Sequence, residues 1–163
     1  MKKWLESTGG PMIVMQAPSV PEWSGYRGPD YDLACSVHDI GMVDVVGAGR
    51  AFSALSLSDE PMSTTWSDDL GCVVQWRWAE DEDDLFRTIR SSWDGLAWVV
   101  LGSVDWQGAV RVFDAATPGA ELGSDQFLEW PVSDRGASVM VAEVEAGTAA
   151  CRLIKVVPIE SAP

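Results

Sequence analysis

The apolar period changes midway between Cys72 and Arg90, and that change constrains the architecture more than any other feature of the chain. In Cys72-Val73-Val74-Gln75-Trp76-Arg77-Trp78, the residues Cys72, Val74, Trp76 and Trp78 recur at every second position and so share one face of a β-strand. That face is expected in the core, with Gln75 and Arg77 on the other side. Leu85, Phe86 and Ile89 then fall on one face of a helix beginning near Asp81, with Arg87 and Arg90 turned away. A strand that runs straight into an amphipathic helix needs a sheet for the helix to cover.

The remaining segments supply that sheet. Met12 to Met15, opened by Gly-Gly-Pro, reads as a first strand, and the Pro-rich stretch from Pro18 to Pro29 as a loop carrying Trp23 and Tyr26. Tyr31, Ala34, Cys35 and His38 recur at helical spacing after a Pro-Asp start, which predicts a short helix. Met42–Val46 and Ala51–Leu57 flank Gly47-Ala48-Gly49-Arg50 as a hairpin, and Ser58 to Asp69 reads as an acidic, hydroxyl-rich loop. Leu96 to Val104 is apolar on both alternating faces and predicts a central strand buried from both sides. Val110–Phe113 follows across a turn at Gly108. Phe127–Pro131 comes next, then a hairpin of Ser138–Glu145 with Cys151–Val157. The expected fold is α+β: a mainly antiparallel β-sheet with one or two short helices, in a single domain spanning residues 1–163. A faint echo, in which strand, loop and Trp66 return as strand, loop and Trp130, is read as coincidence, because such layouts arise without duplication.

Twenty-five acidic residues against eleven basic ones give a formal charge of −14, yet 47% of residues are hydrophobic and nine are tryptophan. Disordered acidic chains lack that apolar content, so the composition fits a folded acidic domain that attracts cationic partners and repels nucleic acid. No apolar stretch approaches the roughly 20 residues of a membrane-spanning helix. No export signal is visible at Met1–Gly10, and Cys35, Cys72 and Cys151 are odd in number and widely spaced. A cytoplasmic protein with reduced, mostly buried thiols is expected, without membrane contact.

Two acidic groups are candidate partner-binding surfaces. Glu80-Asp81-Glu82-Asp83-Asp84 opens the predicted helix, where one or two acids suffice to cap free N–H groups and complement the helix dipole. Five adjacent charges repel one another, so the excess points to a cationic partner; neutralising Glu82, Asp83 and Asp84 is expected to weaken binding more than folding. The second group, Asp59, Glu60, Asp68 and Asp69, brackets Trp66 and resembles an interface anchor with a polar rim. Trp76, Trp78 and Trp98 sit in strand patterns and are expected in the core.

Catalytic readings find little support. Val45 to Phe52 contains Gly47 and Gly49, but Phe52 occupies the third glycine position of a dinucleotide fingerprint and a strand follows. His38 is the single histidine, so triad schemes would all pass through it. Neither a zinc-type Cys/His pairing nor a phosphate loop is present, and no metal or cofactor is expected.

Trp4-Leu5-Glu6-Ser7-Thr8-Gly9-Gly10-Pro11, Trp23-Ser24-Gly25, Asp30-Tyr31-Asp32-Leu33-Ala34-Cys35, Leu57-Ser58-Asp59-Glu60-Pro61 and Thr64-Thr65-Trp66 together resemble the immunity protein 21 family of bacterial polymorphic-toxin systems. The matching segments run in order through the first half, up to Arg77-Trp78; the second half agrees in β character and length. The resemblance implies a mostly β protein that binds a cognate toxin domain and blocks it without chemistry; the chain's own net charge adds the expectation that this domain is basic. It supplies no catalytic residues and does not locate the interface. Two other readings stay open: a small cytosolic enzyme with a carboxylate-rich pocket around His38 or Cys35, and a self-associating structural domain.

Overall fold

The computed structural model describes residues 2–58, 60–132 and 136–159. Ten strands make two antiparallel five-stranded sheets. The first sheet has the order β2 (Ile40–Gly47), β3 (Arg50–Leu57), β1 (Met12–Gln16), β7 (Ala109–Asp114) and β8 (Phe127–Pro131). The second has the order β4 (Ser63–Ser67), β5 (Cys72–Trp78), β10 (Ala149–Pro158), β9 (Ala137–Ala146) and β6 (Val99–Val104). The α+β expectation holds, with helices α1 (Asp30–Cys35) and α2 (Glu82–Ser92) on the outer faces.

Strand alternation builds three apolar layers. Met12, Val14, Leu55, Leu57, Val110 and Val112 of the first sheet meet Val73, Val139, Val141 and Ile154 of the second in the sandwich interior. The opposite parity of the first sheet, including Ile13, Met15, Ala54 and Phe113, packs beneath Trp23 and Ala34. Cys72, Val74, Cys151 and Leu153 form the outer face of the second sheet and receive Leu85, Phe86 and Ile89 of α2. Trp23 lies fully inside, its Nε1 donating to the Ala115 carbonyl at 2.8 Å, so the Pro-rich segment is a cover over the first sheet and not a free loop. That cover fits tightly: a Cβ on Gly119 would stand 1.6 Å from the Val20 carbonyl oxygen, a position open only to glycine.

The hairpin between β2 and β3 turns through Ala48 and Gly49, both at positive φ (52° and 78°), as the two-residue turn that matches strand twist requires. Arg50, just past the turn, reaches the buried Asp30 carboxylate at 2.6 Å. Burial pushes that carboxyl up, but hydrogen bonds from Arg50 and Ser24 outweigh it and hold Asp30 below its ordinary value.

Several expectations are corrected. Helix α1 stops at Cys35, where the Ser36 hydroxyl turns back onto the Leu33 carbonyl, and His38 lies beyond it in solvent. The segment from Ser58 to Asp69 is not all loop, since β4 occupies its middle and pairs with β5. Gln75 is fully buried, because β5 is an inner strand covered by the first sheet on one side and α2 on the other; its amide donates to Thr64 Oγ1 at 3.4 Å. Trp78 is 41% exposed, since the ladder shifts register between Ala150 and Cys151 and the strand ends there. The segment expected to be a central strand forms β6 at an edge, with Val99 and Val100 each 56% exposed. The turn at Gly108 leads from β6 across to β7 in the other sheet. The Trp66 and Trp130 segments are not equivalent either: β4 and β5 share one sheet, whereas β8 and β9 lie in different ones.

Candidate functional site

Of the eleven lysines and arginines, all but Arg135 fall among the described residues, and each of those ten is held by a partner within the chain. Arg27, Arg50, Arg77, Arg87, Arg90, Arg111 and Arg152 reach carboxylates. Lys3 donates to the Phe127 and Ser124 carbonyls, and the Lys2 and Lys155 ammonium groups lie over the rings of Phe86 and of Trp93 and Trp98. The carboxylates of Glu22, Asp32, Glu80, Asp83, Asp94, Asp105, Asp125 and Glu145 are exposed and have no hydrogen bond or ion pair among the described residues. The outward charge is therefore negative and unopposed, a field that steers cations.

The acidic run at α2 divides into structural and free members. Asp81 is the N-cap, its Oδ1 accepting the Asp84 amide at 2.7 Å. Asp84 is buried and accepts from Thr148 Oγ1 at 2.7 Å and Arg87 Nη1 at 3.1 Å, tying the helix to the β9–β10 turn. Glu82 Oε2 accepts Trp4 Nε1 at 2.8 Å, and Trp4 meets Trp76 edge-on at 5.3 Å. Glu80 and Asp83 remain free and exposed. Neutralising Glu82, Asp83 and Asp84 together would thus damage folding, against the simpler expectation from sequence.

The second group is tied down. Trp66 lies half-buried on β4, stacked on Trp130 with centroids 4.6 Å apart and planes within 5°, and it closes the flank between the sheets. Its Nε1 donates to Asp68 Oδ1 at 2.8 Å. Asp69 accepts from Arg90 at 3.0 Å, and that guanidinium holds its carboxyl below the usual carboxylate range. Glu60 stands 3.8 Å from Arg77, and Asp59 lies outside the described residues. Around Trp66 the nearest charges include Lys2 and Lys3, which line the same hollow of about 300 Å³.

Trp78, 41% exposed, stands two residues before the free Glu80. Ala150 pairs with Trp78 on one side and Glu145 on the other, and Thr148 brings the same hairpin tip onto the first turn of α2. Trp78, Glu80 and Asp83 thus lie toward the end of the second sheet that carries the β9–β10 turn, while Glu145 follows the parity of Val139 and Val141 on the face of β9 away from α2. Sequence reasoning assigned Trp78 to the core and passed over Glu145; the available signal was that Trp78 lies one residue short of the acidic run, where strand burial ends.

Cys35, Tyr31 and Glu60 line a hollow of about 160 Å³ that His38 does not enter; its imidazole is 97% exposed, 3.7 Å from Asp39. Cys35 is exposed, whereas Cys72 and Cys151 are buried, and burial pushes their thiols up to about 12. No cluster of metal-ligating side chains occurs among the described residues, and none of their helices is long and apolar enough to cross a membrane.

Compared with known proteins, the chain matches the family model described as Immunity protein 21 over residues 3–160. No curated protein and no solved structure matches it.

Proposed function

Because the chain belongs to the immunity protein 21 family, we propose that it captures a cognate toxin domain with a basic surface and neutralises it by covering that surface, with no chemistry of its own. The contact surface is the carboxylate end of the second sheet, where Glu80 and Asp83 supply free charge near the half-exposed Trp78 and Glu145 adds charge from the other face of β9. Asp81, Glu82 and Asp84 fix the helix that carries it. Glu60, Asp68 and Asp69 are already held by Arg77, Trp66 and Arg90 and are given no contact with the toxin. The supporting observation is the asymmetry of pairing: every described cation is occupied, while eight carboxylates are not.

That arrangement suits a partner whose cationic groove holds phosphate, since carboxylates would take the place of phosphate oxygens. Aromatic anchors surrounded by a polar rim carry most of the energy in such contacts. The protein acts in the cytoplasm of the cell that makes the toxin. The test is titration calorimetry with an inactivated cognate toxin domain, together with co-expression. Binding and restored growth are expected, and Trp78→Ala should weaken affinity by about 2 kcal/mol, roughly 30-fold, at unchanged fold. Turnover of a small molecule that disappears when one side chain is altered would defeat the reading.

A further inference from the structure

The strand edges of the sandwich are unequally protected. The N-terminal segment lies along β4, where Leu5 and Thr64 exchange backbone bonds of 2.8 and 2.9 Å. Lys3 binds the Phe127 carbonyl at the start of β8, and β2 packs beside β6 with Met42 against Gly102. Strand β9 is different. Its pairing with β6 ends at Val99 opposite Val141, although β9 continues to Ala146 with β10 along its other side. From Ala142 to Ala146 the lane next to β9 therefore holds no strand, and no backbone bond from elsewhere among the described residues fills it.

The surroundings of this lane say what fits it. Val99 and Val100, each 56% exposed, stand at its inner end, and Glu145 lies free at its outer end, next to the Trp78 surface. Glu143 is also exposed along it, already bound to Arg77 and Arg152. An edge of unpaired amides and carbonyls is a template for an added strand, and the lane is about 17 Å long at strand rise. We infer that the open half of β9 receives an extended segment of the toxin domain as an added strand in line with β6, a segment with an apolar residue for Val99 and Val100 and a Lys or Arg for Glu145. This rests on the toxin-capture reading. Charge selects this occupant over a second copy of the chain, because two molecules of −14 would oppose Glu145 to like charges.

Hydrogen exchange of the chain alone and bound to its inactivated cognate toxin domain reads the lane directly. Among amides 142–146, those that point into the lane rather than to β10 should exchange at least tenfold more slowly in the complex. The double substitution Val100→Lys with Glu145→Lys, both at exposed positions, should lower affinity at least 30-fold while the melting temperature holds. A complex that forms with unchanged exchange at 142–146, or that tolerates the double substitution, overturns the lane and leaves toxin capture standing. Failure of the toxin domain to bind at all removes both. A dimer of the chain alone, dissociated by the same substitutions, would assign the lane to a second copy and overturn the inference.

Discussion

Two acidic regions with similar composition behave oppositely. Around Trp66, each described carboxylate has a partner: Asp68 holds the indole, Asp69 holds Arg90, and Glu60 approaches Arg77. At the start of α2, three carboxylates stabilise the fold and two, Glu80 and Asp83, are left over, with Glu145 joining them from the next hairpin. The difference teaches that charge density along a sequence is not the same as free charge. An acid that already accepts from an arginine or an indole has little left for a partner, whereas one without such a bond contributes its whole field outward.

The sharpest way to break this comparison is to exchange the roles of the two tryptophans. Trp66→Ala removes the Trp130 stack and should cost about 3 kcal/mol of stability, read by urea unfolding, with toxin affinity retained by the folded fraction. Loss of affinity without loss of stability would make the Trp66 region the contact surface after all. A smaller effect separates neighbours within the acidic run. Asp81→Ala should cost about 1 kcal/mol of stability through the lost cap, whereas Asp83→Asn should leave unfolding unchanged and slow toxin association. The smallest effect belongs to Asp69→Asn: its pair with Arg90 is exposed and screened by solvent, so neither the urea midpoint nor toxin binding should change measurably.

The strand and helix pattern was largely legible because alternation and helical spacing are local properties. Neighbourhood was not. Leu96 to Val104 has the apolar content of a central strand but lies at an edge, since an unbroken apolar run records burial propensity and says nothing about how many strands flank it. Gln75 carries a polar side chain into the interior because Thr64 satisfies it from the adjacent strand, a partner that alternation alone cannot reveal. The candidate site shows the same limit. The run from Glu80 to Asp84 was visible as a charge cluster, but Glu82 and Asp84 are engaged by Trp4 and Thr148, which stand 78 and 64 residues away. Trp78 followed the core parity of its strand, and only the shifted ladder at Ala150 and the end of the strand leave it half in solvent.

The central claim is that unpaired carboxylates draw in a basic partner, and the association rate of the inactivated toxin domain as a function of ionic strength tests it most directly. Between about 50 and 500 mM salt the wild-type rate should fall by about tenfold or more, and the slope should flatten in Glu80→Gln/Asp83→Asn/Glu145→Gln. A rate that ignores salt, or a triple variant with the wild-type slope, would contradict the account.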